Sequence, residues 1–201
     1  MGIRLRTLAD SDLDTLFVWE SDPVAVEMAA FTRANPSNRS EFDAHYERIR
    51  NDPSCTLRAI VDDGEFVGTV GSFTMEGERE VTYWIAPSRW GRGLASRALQ
   101  AFLAIEQTRP IYGRVAEHNA ASAKVLARAG FIQVGSDTAF ARGVGAEIVE
   151  HIYRLDPLGA PPVAWADADE SRAAERSNPR IKSDVRPGKA AEKGVTRWPG
   201  I

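Results

Sequence analysis

The sequence has one cysteine, Cys55, and three histidines among its 201 residues. A single cysteine forms no intrachain disulfide and does not supply the paired thiolates of a cysteine-based zinc site. His45, His118 and His151 do not have the spacing of metal ligands, so no metal is predicted. The low cysteine content favours a cytoplasmic location.

Long apolar runs and a strong excess of one charge are missing as well. No stretch of about 18 apolar residues occurs, and acidic residues stand among the first positions, so neither a membrane-spanning helix nor a secretory signal is predicted. A net charge of -3 gives no support for a protein whose main role is to bind nucleic-acid phosphates. We therefore expect no direct nucleic-acid or membrane partner, and both a monomer and a homodimer stay open.

The composition changes near residue 156. Residues 1–156 alternate strand-like and helix-like segments, whereas residues 157–201 have scattered charges, several prolines and no sustained apolar period. The sequence predicts one folded domain over 1–156 and a mostly disordered C-terminal tail, rich in proline and charge, over 157–201.

Hydrophobic periodicity within the first 156 residues predicts a mixed α/β fold with one mostly antiparallel sheet and helices on its faces. Leu94, Ala98, Phe102 and Ile105 recur at helical spacing and predict one apolar helix face. The predicted strands cover 3–8, 56–63, 65–74, 80–86, 110–117, 131–140 and 147–156, and the predicted helices cover 12–20, 37–52, a segment from near Arg92, and 119–131. Asn119 is predicted as the N-cap of the last helix and Gly130 as the left-handed residue at its C-terminus.

A glycine-rich turn follows the strand at 80–86, in the sequence SRWGRGLAS. Gly91, Gly93 and Ala95 leave backbone N–H groups uncovered at the start of a helix, where the helix dipole favours a pyrophosphate. A P-loop would continue with lysine and serine or threonine, but Leu94 and Ala95 stand there. A dinucleotide fingerprint would have a third glycine where Ser96 stands, so a different phosphorylated ligand is indicated.

A second motif, EHNAASAKVLARAGF, follows on the next strand and helix. The two motifs, in this order and on this strand–helix–strand–helix frame, resemble the GNAT superfamily of N-acetyltransferases, and within it the ribosomal-protein alanine N-acetyltransferases of the RimJ/RimL-like subgroup. The family's phosphate loop commonly reads Arg or Gln, two residues, Gly, one residue, then Gly or Ala; Trp90, Gly93 and Ala95 occupy these places. The resemblance, over residues 3–155, implies acetyl-CoA as co-substrate, no metal and a splayed sheet.

The resemblance also implies where acetyl-CoA would bind. The amides of residues 92–96 and the Ser96 hydroxyl would hold the pyrophosphate, and the strand edge at Ile85 and Ala86 would pair with the pantetheine arm. Asn119 would reach the pantetheine, and Lys124 would lie near the phosphates. The predicted cofactor-binding residues are Ile85, Ala86, Trp90, Gly91, Arg92, Gly93, Leu94, Ala95, Ser96, Asn119 and Lys124.

Acetyl transfer needs a neutral amine, a donor to the oxyanion and a donor to the departing thiolate. We predict Glu80 as the general base, because strand alternation places it on the same face as Thr82 and Trp84, toward the expected cofactor slot. Glu78 and Glu117 remain alternatives, and an ordinary exposed carboxylate is the other interpretation of Glu80.

The donor to the thiolate is less obvious from the sequence. Many members of the superfamily have a tyrosine seven residues after the asparagine, but Leu126 stands there in this chain. Ser122 is the best remaining donor, as in the RimL-like subgroup, although a serine at a helix start often bonds only to backbone. We expect a backbone N–H from Ile85 or its neighbour at the oxyanion.

The resulting hypothesis is an N-acetyltransferase whose acceptor is a primary amine, with a protein or peptide N-terminal α-amine as the first choice. A polyamine or aminoglycoside acceptor is one alternative, and an acidic pocket built from Glu20, Asp22 or Glu27 would favour it. A non-catalytic acyl-CoA-binding module is the other, since the tyrosine is absent. We expect acceptor specificity to come from two segments predicted as loops, residues 22–40 and 138–147.

Overall fold

The computed structural model of the chain describes residues 2–157. The tail predicted over 157–201 lies outside the described residues except for its first position. Seven strands form one sheet in the order β1-β2-β3-β4-β5-β7-β6, with helices packed on it. This is the mixed α/β arrangement that the sequence predicts.

The helices and strands alternate along the chain in nearly the predicted order. The strands are β1 (Ile3–Arg6), β2 (Thr56–Asp62), β3 (Glu65–Met75), β4 (Glu78–Ile85), β5 (Ile111–Ala116), β6 (Ile132–Ala141) and β7 (Ala146–Leu155). The α-helices are α1 (Asp10–Glu20), α2 (Pro23–Ala29), α3 (Arg39–Asn51), α4 (Leu94–Leu103) and α5 (Ala120–Arg128), and a 3-10 turn covers Pro87–Arg89.

Neighbouring strands pair in antiparallel fashion except for β4 and β5. These two strands run parallel and pair only at Glu80 and Tyr112. Beyond that position β4 stays paired with β3 as far as Ile85, and β5 stays paired with β7 as far as Ala116. The sheet therefore splays between β4 and β5, which confirms the splayed, mostly antiparallel sheet.

Successive residues of β4 face two different cores. Tyr83 and Ile85 pack among buried residues of α4 and α5, such as Leu99 and Leu126. Trp84 packs on the opposite face, among residues of α1, α2 and α3. The alternation of side chains along one strand thus divides the protein into a face with α4 and α5 and a face with α1, α2 and α3.

Local sequence explains where the helices begin and end. The Asn38 and Asn119 side chains accept hydrogen bonds from the backbone of Glu41 and Ser122, and so cap the N-termini of α3 and α5. Gly130 follows α5 with φ of 92°, a left-handed conformation that glycine adopts without steric cost. The N-cap role of Asn119 and the left-handed Gly130 are confirmed.

Close approach of β3 and β4 depends on Gly68. A Cβ atom at this position would lie 2.1 Å from the Trp84 carbonyl oxygen and 3.1 Å from the Ile85 Cα atom. Any side chain at residue 68 would therefore displace the part of β4 that borders the splay.

Two predictions about the helices are wrong. Residues 22–40 contain helix α2, because the Asp22 carboxylate caps it and Pro23 occupies its first turn. The apolar face of α4 includes buried Leu94, Ala98 and Phe102 but not Ile105, which is 51% exposed because the helix ends at Leu103. In the stretch 138–147, β6 runs on to Ala141 and β7 begins at Ala146, so much of it is strand.

None of the helices within residues 2–157 is long and apolar enough to cross a membrane.

A buried carboxylate fixes the start of β4 to the segment that precedes β5. Glu106 accepts hydrogen bonds from Ser72 Oγ at 2.6 Å, from Arg79 Nη2 at 2.6 Å and from the Thr108 backbone N–H at 2.9 Å. Burial alone would raise the pKa of Glu106, but these hydrogen bonds outweigh it and lower the pKa to about 2.

We predict that Glu106→Gln lowers the free energy of unfolding at pH 7 by about 1–3 kcal/mol, because the Arg79 guanidinium loses its charged acceptor. The folded-state pKa lies below the unfolded value, so this stabilisation is complete above about pH 5 and is lost as the pH falls toward 2. Urea denaturation of the variant and the wild type from pH 7 to pH 3 measures the difference.

The control is Asp14→Asn, which removes an exposed ion pair with Arg39 and is expected to change stability by less than about 0.5 kcal/mol. Equal stability of Glu106→Gln and the wild type at pH 7 would contradict the prediction.

Candidate active site

The turn between β4 and α4 carries two glycines in left-handed conformations. Gly91 has φ of 76° and Gly93 has φ of 70°, and a Cβ atom at either position would meet nothing within 4 Å. The space that side chains would occupy is therefore open on the outside of the turn. A ligand approaching here meets the backbone directly.

Helix α4 begins at this turn with its amides exposed. Gly93 is the N-cap and provides no side-chain hydrogen bond, and the Arg97 N–H donates to the Gly93 carbonyl at 3.2 Å. The amides of residues 94–96 precede that bond and have no acceptor within the helix. Together with the positive end of the helix dipole, they form a site for an anion.

Ser96 lies in the first turn of α4, and its Oγ atom is buried without a hydrogen-bond partner among the described residues. A buried hydroxyl without a partner is unusual, because lost hydrogen bonds to water are normally replaced. A bound phosphate oxygen would give this hydroxyl a partner.

The splay of the sheet exposes the backbone of Ile85. The Ala86 N–H donates to the Val67 carbonyl at 2.9 Å, so it points toward β3. Adjacent residues of an antiparallel strand direct their backbone polar groups to opposite edges, and the Ile85 N–H and carbonyl therefore point toward the gap with β5. The Trp90 indole N–H donates to the Ile85 carbonyl at 2.8 Å, which ties the turn to the strand edge.

A cavity of about 310 Å³ joins the turn to the splay. Most of the predicted site residues line it, namely Ile85, residues 90–96, Asn119, Ser122 and Lys124. The structure therefore brings the two sequence motifs together around one space.

Two of the predicted residues do not line the cavity. Ala86 is buried with its N–H bonded to β3, and Glu80 lies further back along β4. Glu80 is 5% exposed and accepts a hydrogen bond from Arg114 Nε at 3.0 Å. Their binding and catalytic roles stay predictions.

The other carboxylates considered as bases also lie away from the cavity. Glu78 approaches Arg114 at 3.3 Å, and Glu150 approaches it at 3.7 Å, so one guanidinium lies among three carboxylates together with Glu80. The side chain of Glu117 is exposed at the end of β5.

The charged side chains among the described residues that line the cavity are all positive. Arg89, Arg92, Lys124 and Arg128 contribute to the lining, and Arg89 forms an ion pair with Glu65. Among the described residues that line the cavity, none is aspartate or glutamate. The wall therefore favours an anionic ligand.

Asn119 has two structural contacts. Its Oδ1 atom accepts the Ser122 N–H at 3.1 Å, and its Nδ2 atom donates to the Met28 carbonyl at 3.2 Å. His118, next to it, is 2.9 Å from the Glu27 carbonyl. These bonds fasten α2 to the start of α5, and residues of both helices line the cavity.

Helix α2 forms a wall of the cavity that was not predicted from the sequence. Ala25, Met28 and Ala29 line the cavity, and the Gly143 N–H donates to the Ala30 carbonyl at 2.7 Å, so the β6–β7 hairpin supports the helix. The Asp-Pro pair at residues 22–23 is the signal that could have revealed this helix.

Tyr83 was missed as well. Its hydroxyl lies 2.6 Å from Ser122 Oγ, and both side chains are buried and line the cavity. Burial raises the pKa of Tyr83, so it stays a phenol. Strand alternation could have found it, since it faces the side of the sheet opposite to Glu80 and Trp84.

The acids that would have formed an acidic acceptor pocket have other roles. Glu20 is buried and pairs with Arg33 and the Tyr46 hydroxyl. Burial raises the pKa of Glu20, although the Arg33 charge opposes this effect. Asp22 caps α2, and the Glu27 side chain is exposed.

Comparison with known proteins gives one family. Residues 3–132 match the sequence profile described as "Acetyltransferase (GNAT) domain". No curated protein matches the sequence significantly.

Solved structures share the fold at low sequence identity. The spermidine N-acetyltransferase from Vibrio cholerae, in complex with CoA and spermine, is 20% identical with a TM-score of 0.65, over 76% of this chain and 94% of its own. The ribosomal-protein-alanine N-acetyltransferase from Brucella melitensis is 19% identical with a TM-score of 0.64, over 77% and 99%. AAC(6')-Ib, in complex with ribostamycin and coenzyme A, is 18% identical with a TM-score of 0.60, over 77% and 94%.

Proposed function

This chain belongs to the GNAT acetyltransferase family, and we propose that it transfers the acetyl group of acetyl-CoA directly to the α-amine of a protein or peptide N-terminus. The observation that carries the proposal is the position of the anion-binding turn, which opens beside the splay between β4 and β5. A phosphate-binding turn and a free strand edge, next to each other, fit a ligand with both a pyrophosphate and an amide-bearing arm.

The donors around the turn fit the phosphates of acetyl-CoA. The free amides of residues 94–96 and the Ser96 hydroxyl would hold the pyrophosphate. Arg92, Lys124 and Arg128 line the same space and would neutralise the phosphate charges. The open space beside Gly91 and Gly93 admits this group without a clash with side chains.

The edge of β4 fits the pantetheine arm and the thioester. The Ile85 N–H points into the splay, where it would donate to an amide carbonyl of the arm or to the oxyanion that forms on the thioester carbonyl. Acetyl-CoA supplies an activated acyl group. The protein supplies a fixed donor and an orientation for the attack.

The charge of the cavity favours a peptide α-amine over a polycation. Polyamines and aminoglycosides carry several positive charges and need acidic partners, but no aspartate or glutamate is among the described residues that line the cavity. Glu20, Asp22 and Glu27 do not supply the missing acid. A peptide N-terminus carries one amine, which reacts in its neutral form.

The part of the cavity that α2 lines suits a small side chain. Ala25, Met28 and Ala29 of α2 form an apolar wall there, and bonds from Asn119 and Gly143 hold the helix in place. An apolar wall next to the reacting centre also keeps water away from the thioester.

Glu80 is the carboxylate we assign as base. It is buried, whereas the Glu78 side chain is 42% exposed, and it lies on the face of β4 that carries Trp84. Four residues of strand separate Glu80 from Trp84, about 13 Å, so Glu80 would accept the amine proton through a chain of several waters. Ser122 is the hydroxyl we assign as donor to the departing sulfur.

We predict that Gly93→Ala weakens CoA binding at least about tenfold, because a methyl group would fill the open cradle. The matched control is Gly64→Ala, in the β2–β3 turn, where φ is 89° and a Cβ atom would also meet nothing within 4 Å. Both variants lose roughly 1 kcal/mol of stability from the left-handed backbone. Calorimetric titration with CoA separates them, and equal affinities would contradict the assignment of the turn.

The acceptor class is tested with purified protein, acetyl-CoA and matched acceptors. Peptides with a free α-amine are expected to be acetylated, whereas the same peptides with a blocked N-terminus and a free lysine, and spermidine, are not. Mass spectrometry identifies the acetylated nitrogen. Acetylation of spermidine alone would favour the polyamine alternative, and CoA binding without transfer to any amine would favour the non-catalytic module.

We predict that Glu80→Gln lowers kcat/KM by at least about 100-fold through loss of the base, while CoA affinity is unchanged. Glu78→Gln is the control, because Glu78 contacts the same Arg114 through a longer, half-exposed pair, and its removal is expected to change the rate by less than about threefold. Steady-state kinetics measure both. Equal losses in the two variants would indicate a structural role for the Arg114 cluster and would contradict the assignment.

A further inference from the structure

The hydroxyl groups of Tyr83 and Ser122 lie within hydrogen-bonding distance of each other, although the two residues belong to different elements. Tyr83 comes from β4 and Ser122 from the first turn of α5, and their oxygens are 2.6 Å apart. Tyr83 is 7% exposed and Ser122 is 4% exposed. Both side chains line the same cavity as Ile85.

The chemistry of the two hydroxyls indicates which one donates. A phenol is far more acidic than an alkyl hydroxyl, and is therefore the better hydrogen-bond donor. The Tyr83 hydroxyl also lies 3.3 Å from the Ser122 backbone carbonyl, which only accepts. Both oxygens of Ser122 thus lie within reach of the phenolic hydroxyl, with the shorter contact to Oγ, and donation from Tyr83 to Ser122 Oγ leaves the serine hydrogen free.

Resting on the proposed function, we infer that Tyr83 is a positioning residue: it donates to Ser122 Oγ and so directs the hydrogen of Ser122 toward the sulfur that leaves in the reaction. A hydroxyl that accepts one hydrogen bond becomes a stronger donor in the next. Ser122 then stabilises the negative charge on the sulfur as the bond to the acetyl carbon breaks.

The reaction balances without an outside proton donor. The amine nitrogen forms a bond to the acetyl carbon, and the electron pair of the carbon–sulfur bond stays on the sulfur. The proton that the nitrogen loses passes to Glu80 through water and finally protonates the thiolate. Tyr83 keeps its own proton throughout, because its role is to donate a hydrogen bond.

Asn119 and Tyr83 hold different parts of Ser122. The Asn119 side chain fixes the Ser122 backbone by accepting its N–H at 3.1 Å. Tyr83 fixes the rotation of its hydroxyl group. Because Leu126 stands where many superfamily members have a tyrosine, the phenol reaches this region from β4 instead of from α5.

The test is a double-mutant cycle with Tyr83→Phe and Ser122→Ala. Tyr83→Phe keeps the ring in the core and is expected to lower kcat about tenfold with KM for acetyl-CoA unchanged. In the Ser122→Ala background the same change is expected to alter kcat by less than about twofold, because Tyr83 acts through Ser122. Tyr153→Phe, on β7 and outside the cavity lining, is the control and is expected to match the wild type.

A second readout needs no acceptor amine. The thiol of bound CoA is titrated by the ultraviolet absorbance of its thiolate, and its pKa is expected to rise by about half a unit to one unit in Tyr83→Phe, since the Ser122 hydroxyl is then no longer oriented toward the sulfur and donates to the thiolate more weakly. A role confined to packing would leave this pKa unchanged.

The outcomes separate the two proposals. Two results would overturn the inference about Tyr83. One is an equal pKa of the CoA thiol in Tyr83→Phe and in the wild type. The other is a loss of kcat from Tyr83→Phe in the Ser122→Ala background that equals its loss in the wild-type background. Failure of the wild type to acetylate any amine would overturn the proposed function, and the thiol titration would still decide the role of Tyr83.

Discussion

The divergence of β4 from β5 is the constraint on which the rest of the structure depends. The two strands pair at Glu80 and Tyr112 and then separate, while β3 holds β4 and β7 holds β5 along their other edges. Beyond that position each strand is therefore held by backbone hydrogen bonds to its other neighbour and not by bonds across the gap. The polar groups of Ile85 are left at the open edge, and one of them already binds the Trp90 indole.

Residues of the surrounding helices and of β4 supply the functional groups around this gap. The N-terminus of α4 contributes free amides, arginine and lysine side chains contribute positive charge, and α2 contributes an apolar wall. Between them, side chains of β4 and α5 meet at the Tyr83–Ser122 pair. Under the proposed function, the phosphates, the thioester and the acceptor amine would contact different parts of this one cavity.

The parts of this arrangement that depend on local sequence could be predicted from it. Gly91 and Gly93, with the helix pattern after them, indicated the anion-binding turn, and Asn119 with Gly130 gave the bounds of α5. Hydrophobic periodicity also placed the strands of the sheet, and the motif resemblance indicated the splay and the acyl-CoA ligand.

The rest depends on contacts between distant segments. Tyr83 and Ser122 are far apart in sequence, and only the packing of α5 on β4 brings their hydroxyls together. The pairing of Glu80 with Arg114 likewise requires the alignment of β4 with β5. Helix α2 does not belong with these contacts. Its start signal, Asp22 followed by Pro23, is local and is present in the sequence.

The most direct test of the account follows the Ile85 amide by NMR hydrogen exchange with and without CoA. If the pantetheine arm lies in the splay, exchange at the Ile85 N–H slows on CoA binding, whereas exchange at the Ala86 N–H, which already donates to the Val67 carbonyl, stays the same. Tight CoA binding with no change at Ile85 would show that the arm lies elsewhere and would contradict the account.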